Sequence, residues 1–113
     1  MLNRYSVSTV IITKNEEYNI DACLRTVKWT DEIIVVDAES TDRTQELARG
    51  YTSHVFVRPW EGYGLQKNFG IVKATGDWVL ILDADERVSQ KLAIEIQDRL
   101  AHWTNGNPVA FCI

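Results

Sequence analysis

At 113 residues the chain is one domain's worth of polypeptide, and 45% hydrophobic with 25% charged residues is the composition of a folded globular protein rather than a disordered one. Sixteen acidic against 12 basic residues give a formal net charge of −4, which argues against the basic face that non-specific nucleic-acid binding needs. The two cysteines, Cys23 and Cys112, form no C-x-x-C or Cys/His cluster and read as reduced thiols.

The opening MLNRYSVSTVII lacks the apolar core and cleavage site of a signal peptide, and no apolar run nears the ~20 residues of a membrane span. A cytoplasmic location is expected, with any attachment to the inner face of a membrane supplied by residues outside the chain.

In chain order, the β-branched run Val7 to Thr13 predicts a first strand. Ile20, Cys23, Leu24 and Val27 share one helical face, with Asn19 as the expected cap. Glu32 to Val36 predicts the second strand, and the capping oxygens of Ser40 to Thr44 open a helix carrying Glu46, Leu47 and Ala48. His54 to Val57 is the third strand, followed by a helical stripe of Leu65, Phe69 and Val72. Trp78 to Leu82 is the fourth, then a helix with Leu92, Ile96 and Leu100 inward and Ser89 as cap, then a fifth strand from Pro108 to Ile113. Several of the strand runs are continuous rather than alternating, as in strands covered on both faces. The order βαβαβαβαβ predicts an α/β fold with a mostly parallel sheet and helices on both sides.

In an open sheet of this kind, ligands sit at the carboxyl ends of the strands. The first strand runs into Thr13-Lys14-Asn15-Glu16-Glu17, the second into Asp37-Ala38-Glu39-Ser40, and the fourth into Asp83-Ala84-Asp85-Glu86. Acids therefore gather at one edge. Asp83 and Asp85, at i and i+2, can point the same way and repel each other. A divalent cation relieves that repulsion and bridges to a diphosphate, whereas the plainer role for Asp85 or Glu86 is to cap the next helix. Asp37 can bond a ribose hydroxyl or a base, or cap the helix that follows. Lys67 is a phosphate contact or a surface lysine, and Trp60 and Tyr63 border a sugar or base or simply pack. His54 and His102 have no metal-ligand spacing and read as structural, and neither G-x-G-x-x-G nor a Walker pattern occurs.

SVSTVIITKNEEYNI, EIIVVDAESTDRTQELA and RPWEGYGLQKNFGIVKATGDWVLILDADERV, in that order, resemble family 2 glycosyltransferases of the GT-A fold. Within that family the chain is most similar to bacterial enzymes that add β-linked glucose or related sugars to lipopolysaccharide or lipooligosaccharide cores. The resemblance implies that Thr13, Asn15 and Glu16 shape a nucleotide pocket and that Asp37 lies beside the base or ribose. It also implies that Lys67 and Asn68 stand near the donor, that Asp83 faces the ribose or sugar, and that Asp85, with Asp83, holds the metal on the diphosphate. Ala38 stands where many members carry a second aspartate, and Lys14 where an aromatic is common. UDP-sugar is the favoured donor, with ADP- or GDP-sugar as alternatives.

The implied reaction is inverting transfer to a saccharide or lipid-linked acceptor. Members usually have a second half with the acceptor site and a general base, so the base is expected beyond Ile113. The chain alone is then expected to bind nucleotide and metal without catalysis. The fold's later antiparallel strand, normally beside Trp78 to Leu82, is also missing. An exposed edge there predicts homo-oligomers unless the last strand fills the gap. A nucleotidyltransferase would need a glycine- and arginine-rich first loop, and a receiver domain a lone aspartate where Val57-Arg58-Pro59 stands.

Overall fold

The computed structural model describes residues 4–103 and 110–112. Five strands, β1 (Val7–Thr13), β2 (Glu32–Asp37), β3 (Val55–Val57), β4 (Trp78–Asp83) and β5 (Ala110–Cys112), form one sheet in the order β3-β2-β1-β4-β5. Every described pair is parallel. Four helices cross between them: α1 (Ile20–Arg25), α2 (Thr44–Arg49), α3 (Tyr63–Lys73) and α4 (Gln90–Ala101). β1 is buried along its whole length, as a central strand with helices above and below must be.

Alternation along the strands sorts the core into two layers. Val7, Ile11, Val35, Leu80 and Leu82 pack with α1, α2 and α4, whereas Val10, Ile12, Ile34, Val36 and Ile81 face the side covered by α3. Cys23 is free and buried in the first layer, where burial pushes its thiol up to about 12. The side chain of Cys112 lies outside what is described. Ser89 caps α4 as expected, its hydroxyl accepting from Leu92 N at 3.1 Å. No helix among the described residues is long and apolar enough to cross a membrane.

Two expectations are corrected. Asn19 precedes α1 but makes no side-chain cap, because its backbone is already in the helical region. The inward face of α3 is not Leu65, Phe69 and Val72. Gln66 and Gly70 are buried instead, Leu65 and Val72 are 51% and 81% exposed, and only Phe69 keeps a partly buried place against Phe56. The helix is turned by one residue, about 100°, because Gly70 lets it approach the sheet closely. Along β4, of the two outcomes expected for the edge, the last strand fills the gap. Ala110, Phe111 and Cys112 pair with Val79, Leu80 and Ile81, so the strand expected to recruit a second copy is covered within the chain over that stretch. Pro108 and Ile113, the expected ends of this strand, lie outside the described residues.

A Cβ built on Gly70 would lie 2.3 Å from Cγ1 of Val10, whereas one on Gly64 meets nothing within 4 Å. Gly70→Ala is therefore expected to cost about 1–3 kcal/mol through overpacking. Gly64→Ala, in the same helix, gains up to about 1 kcal/mol from backbone entropy. Urea denaturation of the two variants checks this; equal midpoints would show that the helix does not press on the sheet at Gly70.

Candidate functional site

The ends of β1, β2 and β4 lie side by side, with Thr13 registered against Asp37 and Ile12 against Asp83. The same alternation that sorts the core sorts these polar residues. Thr13 and Asp37 turn toward α2, whereas Ile12 and Asp83 turn toward α3.

On the α2 side, Asp37 is fully buried and its carboxylate is saturated by the protein. Oδ1 accepts from the Thr13 hydroxyl and from the Ser40 hydroxyl, each at 2.6 Å. Oδ2 accepts from Ser40 N at 2.8 Å and from Gln45 Nε2 at 2.9 Å. Four donors fill the roughly four lone-pair directions of a carboxylate. Asp37 therefore organises the loop after β2 and turns no free oxygen toward a ribose.

That loop in turn holds the one after β1. Asn15 N donates to the Ser40 hydroxyl at 2.7 Å, Thr41 N to Asn15 Oδ1 at 2.8 Å, and Glu16 N to the Thr44 hydroxyl at 2.8 Å. Asp42, rather than Ser40, supplies the oxygen that receives Thr44 N at the start of α2. Asn15 and Glu39 take positive φ values of 51° and 54°, conformations that L-residues adopt at a cost and that this bonding pattern holds in place.

On the α3 side is a cleft of about 480 Å³, lined by Ile12, Lys14, Glu16, Tyr63, Asp83 and Asp85 among others. Within the described residues the carboxylates of Asp83 and Asp85 have no hydrogen-bond or ion-pair partner. Glu86 does not join them. Its Oε1 accepts from Asp83 N at 2.7 Å, and its own N donates to Asp83 O at 2.9 Å, closing a tight turn. Trp60 and Tyr63 form the opposite wall, edge to face at 4.8 Å and about half exposed. Lys67 lies in the second turn of α3, outside the lining. Its ammonium sits 5.6 Å over the Tyr63 ring. Lys14 lines the cleft while its ammonium donates to Ala38 O at 2.9 Å.

Among the described residues no cluster of three or more His, Cys, Asp or Glu side chains could enclose a metal unaided. A cation here would take its remaining ligands from elsewhere. Two further residues tie the edge together. Asn19 donates to Glu16 Oε2 and accepts from Arg87, both at 3.2 Å, and Arg87 also donates to Ala84 O and Glu86 O. Neither has a motif that would single it out in the sequence. A larger depression of about 890 Å³ lies at the amino edge of the sheet. Glu32 in its wall accepts from the Ser8 hydroxyl and from Thr75 N.

The chain belongs to Glycosyl transferase family 2, whose family profile matches residues 8–110. An uncharacterised glycosyltransferase of Rickettsia typhi is 51% identical over 108 residues, covering 95% of this chain and 37% of the relative. The lipopolysaccharide core biosynthesis glycosyltransferase LpsC of Rhizobium meliloti is 32% identical over 106 residues, covering 89% of this chain and 39% of LpsC. The chain thus spans less than two fifths of either relative's length. Among solved structures, Staphylococcus aureus TarS in complex with UDP superposes with a TM-score of 0.64 at 27% identity, covering 83% of this chain and 32% of TarS.

Asp37→Ala would leave the Thr13, Ser40 and Gln45 donors without an acceptor. The expected cost is about 1–3 kcal/mol for each donor left buried and unsatisfied. Hydrogen exchange should show the amides of residues 14–17 and 38–42 losing protection ahead of the sheet. Unchanged protection there would mean that the loops are held by something other than this carboxylate.

Proposed function

We propose that this chain forms the donor side of an inverting glycosyltransferase. The enzyme would transfer glucose or a similar sugar from a nucleoside diphosphate, with UDP favoured, to a saccharide or lipid-linked acceptor of the cell envelope or lipopolysaccharide. The observation that carries this reading is the pair of unpartnered carboxylates, Asp83 and Asp85, in one cleft at the sheet's carboxyl edge. Two unpaired acids in a small space favour a divalent cation, and their number leaves coordination positions for diphosphate oxygens. Asp85, with Asp83, would hold Mg²⁺ or Mn²⁺, which supplies charge neutralisation as the diphosphate leaves. LpsC, a relative in core biosynthesis, supports the envelope assignment, and UDP bound to TarS supports the choice of nucleotide.

The chain's own residues bind and orient. Tyr63 and Trp60 offer an apolar face to a sugar or base. Thr13 and Glu16 border the cleft, while Asn15 serves it through the loops it holds. Lys67 stands near enough to Tyr63 to meet a phosphate at the rim. In this reading the acceptor site and the general base belong to polypeptide outside this chain, and the 113 residues alone bind donor without transferring it.

Isothermal titration with UDP and Mn²⁺ is expected to show binding that a chelator abolishes. Asp85→Asn should weaken it at least tenfold, because a hard cation needs the charge. Glu86→Gln should retain most of it, since an amide oxygen still receives Asp83 N. Equal losses in the two variants, or none in Asp85→Asn, would overturn the assignment of the metal to Asp85.

A further inference from the structure

Gln66 is fully buried, and neither its Oε1 nor its Nε2 has a hydrogen-bond partner among the described residues. A buried amide left in that state destabilises the fold, so its retention calls for a reason. Its position offers one. Along α3, residues 63, 66 and 70 lie on one face, at helical spacing i, i+3 and i+7. Tyr63 lines the cleft, and Gly70 presses on Val10 and Val36. Gln66 thus sits along α3 between the cleft residue Tyr63 and the point of tightest helix–sheet contact. Lys14 is held by Ala38 O, Ala38 contributes only a methyl, and Asp37 turns to the other side of the sheet with its oxygens saturated.

We propose that Gln66 is a specificity-determining residue that reads the nucleobase of the donor. This rests on the donor-site reading above. The free carboxylates that suit a metal-bound diphosphate come from the end of β4, and the cleft extends from there past the end of β1 to Trp60 and to Tyr63 at the start of α3. A nucleoside attached to that diphosphate runs in this direction. A carboxamide presents one donor face and one acceptor face side by side. The edge of a base such as uracil offers the complementary pair, whereas diphosphate oxygens can only accept. In the structure the amide is covered, so a base reaching it displaces rim side chains. Tyr63, 57% exposed, is the one on its own helix face.

The test compares wild type with Gln66→Leu and Gln66→Met, which keep the volume and remove the polar pair. Each is titrated with UDP and with inorganic pyrophosphate, both with Mn²⁺, and each is melted without ligand. The expected result is a loss of roughly tenfold or more in UDP affinity, pyrophosphate affinity within about twofold of wild type, and an unchanged or higher melting temperature. Unchanged UDP binding in the variants would overturn this proposal and leave the donor site standing. Equal losses for UDP and pyrophosphate would also overturn it, since the effect would then act through the shape of the cleft. Failure of both variants to fold would assign Gln66 to the core alone. A wild-type chain that binds pyrophosphate but no UDP overturns base reading, and one that binds neither removes the donor site as well.

Discussion

One buried carboxylate holds the carboxyl edge of this sheet together. Asp37 receives hydrogen bonds from Thr13 on the neighbouring strand, from Ser40 in its own loop and from Gln45 on the next helix. A charge buried so completely is tolerated because every oxygen is met by a donor. Through Ser40 the order passes to Asn15, and through Thr44 to Glu16. Two loops that would otherwise sample many conformations become one connected surface.

The cleft depends on a second separation, made by the pleat of the strands. Neighbouring positions on a strand face opposite sides of the sheet, so acids at one edge divide into two groups with different tasks. Those on the α2 side are consumed in building the edge. Those on the α3 side, Asp83 and beyond it Asp85, keep their oxygens for something else. The Glu86 turn reinforces this division by holding Asp83 through its main chain and leaving its side chain alone.

Much of this was legible in the sequence. The strands announced themselves because parallel strands covered on both faces are largely apolar, and their described bounds lie within two residues of the expected ones. The gathering of acids at three strand ends located the edge. Which acids face the cleft was not legible, since Asp37 and Asp83 end similar runs and differ in the side of the sheet they face. The helix α3 was misread for a related reason. Apolar periodicity weighs Leu65 and Val72, but a helix lying this close to a sheet is placed by its smallest residue, Gly70, and hydropathy gives that residue little weight. Asn19 read only as a helix cap, and Arg87 drew no reading, because the bond between them joins loops far apart in the chain.

The closeness of α3 to the sheet also bears on the mechanics of binding. With backbone nearly touching the side chains of Val10 and Val36, there is no compressible layer through which the helix could rock or slide. The aromatic wall that rises from its first turn is thereby anchored at one end. Freedom to adapt is left to the segment before it, where Gly62 at a φ of 107° joins the strand to the helix. A guest molecule entering the cleft would meet a rigid floor and a hinged rim, so that most of its contacts are formed without ordering new backbone and the entropic penalty of association falls on a few residues.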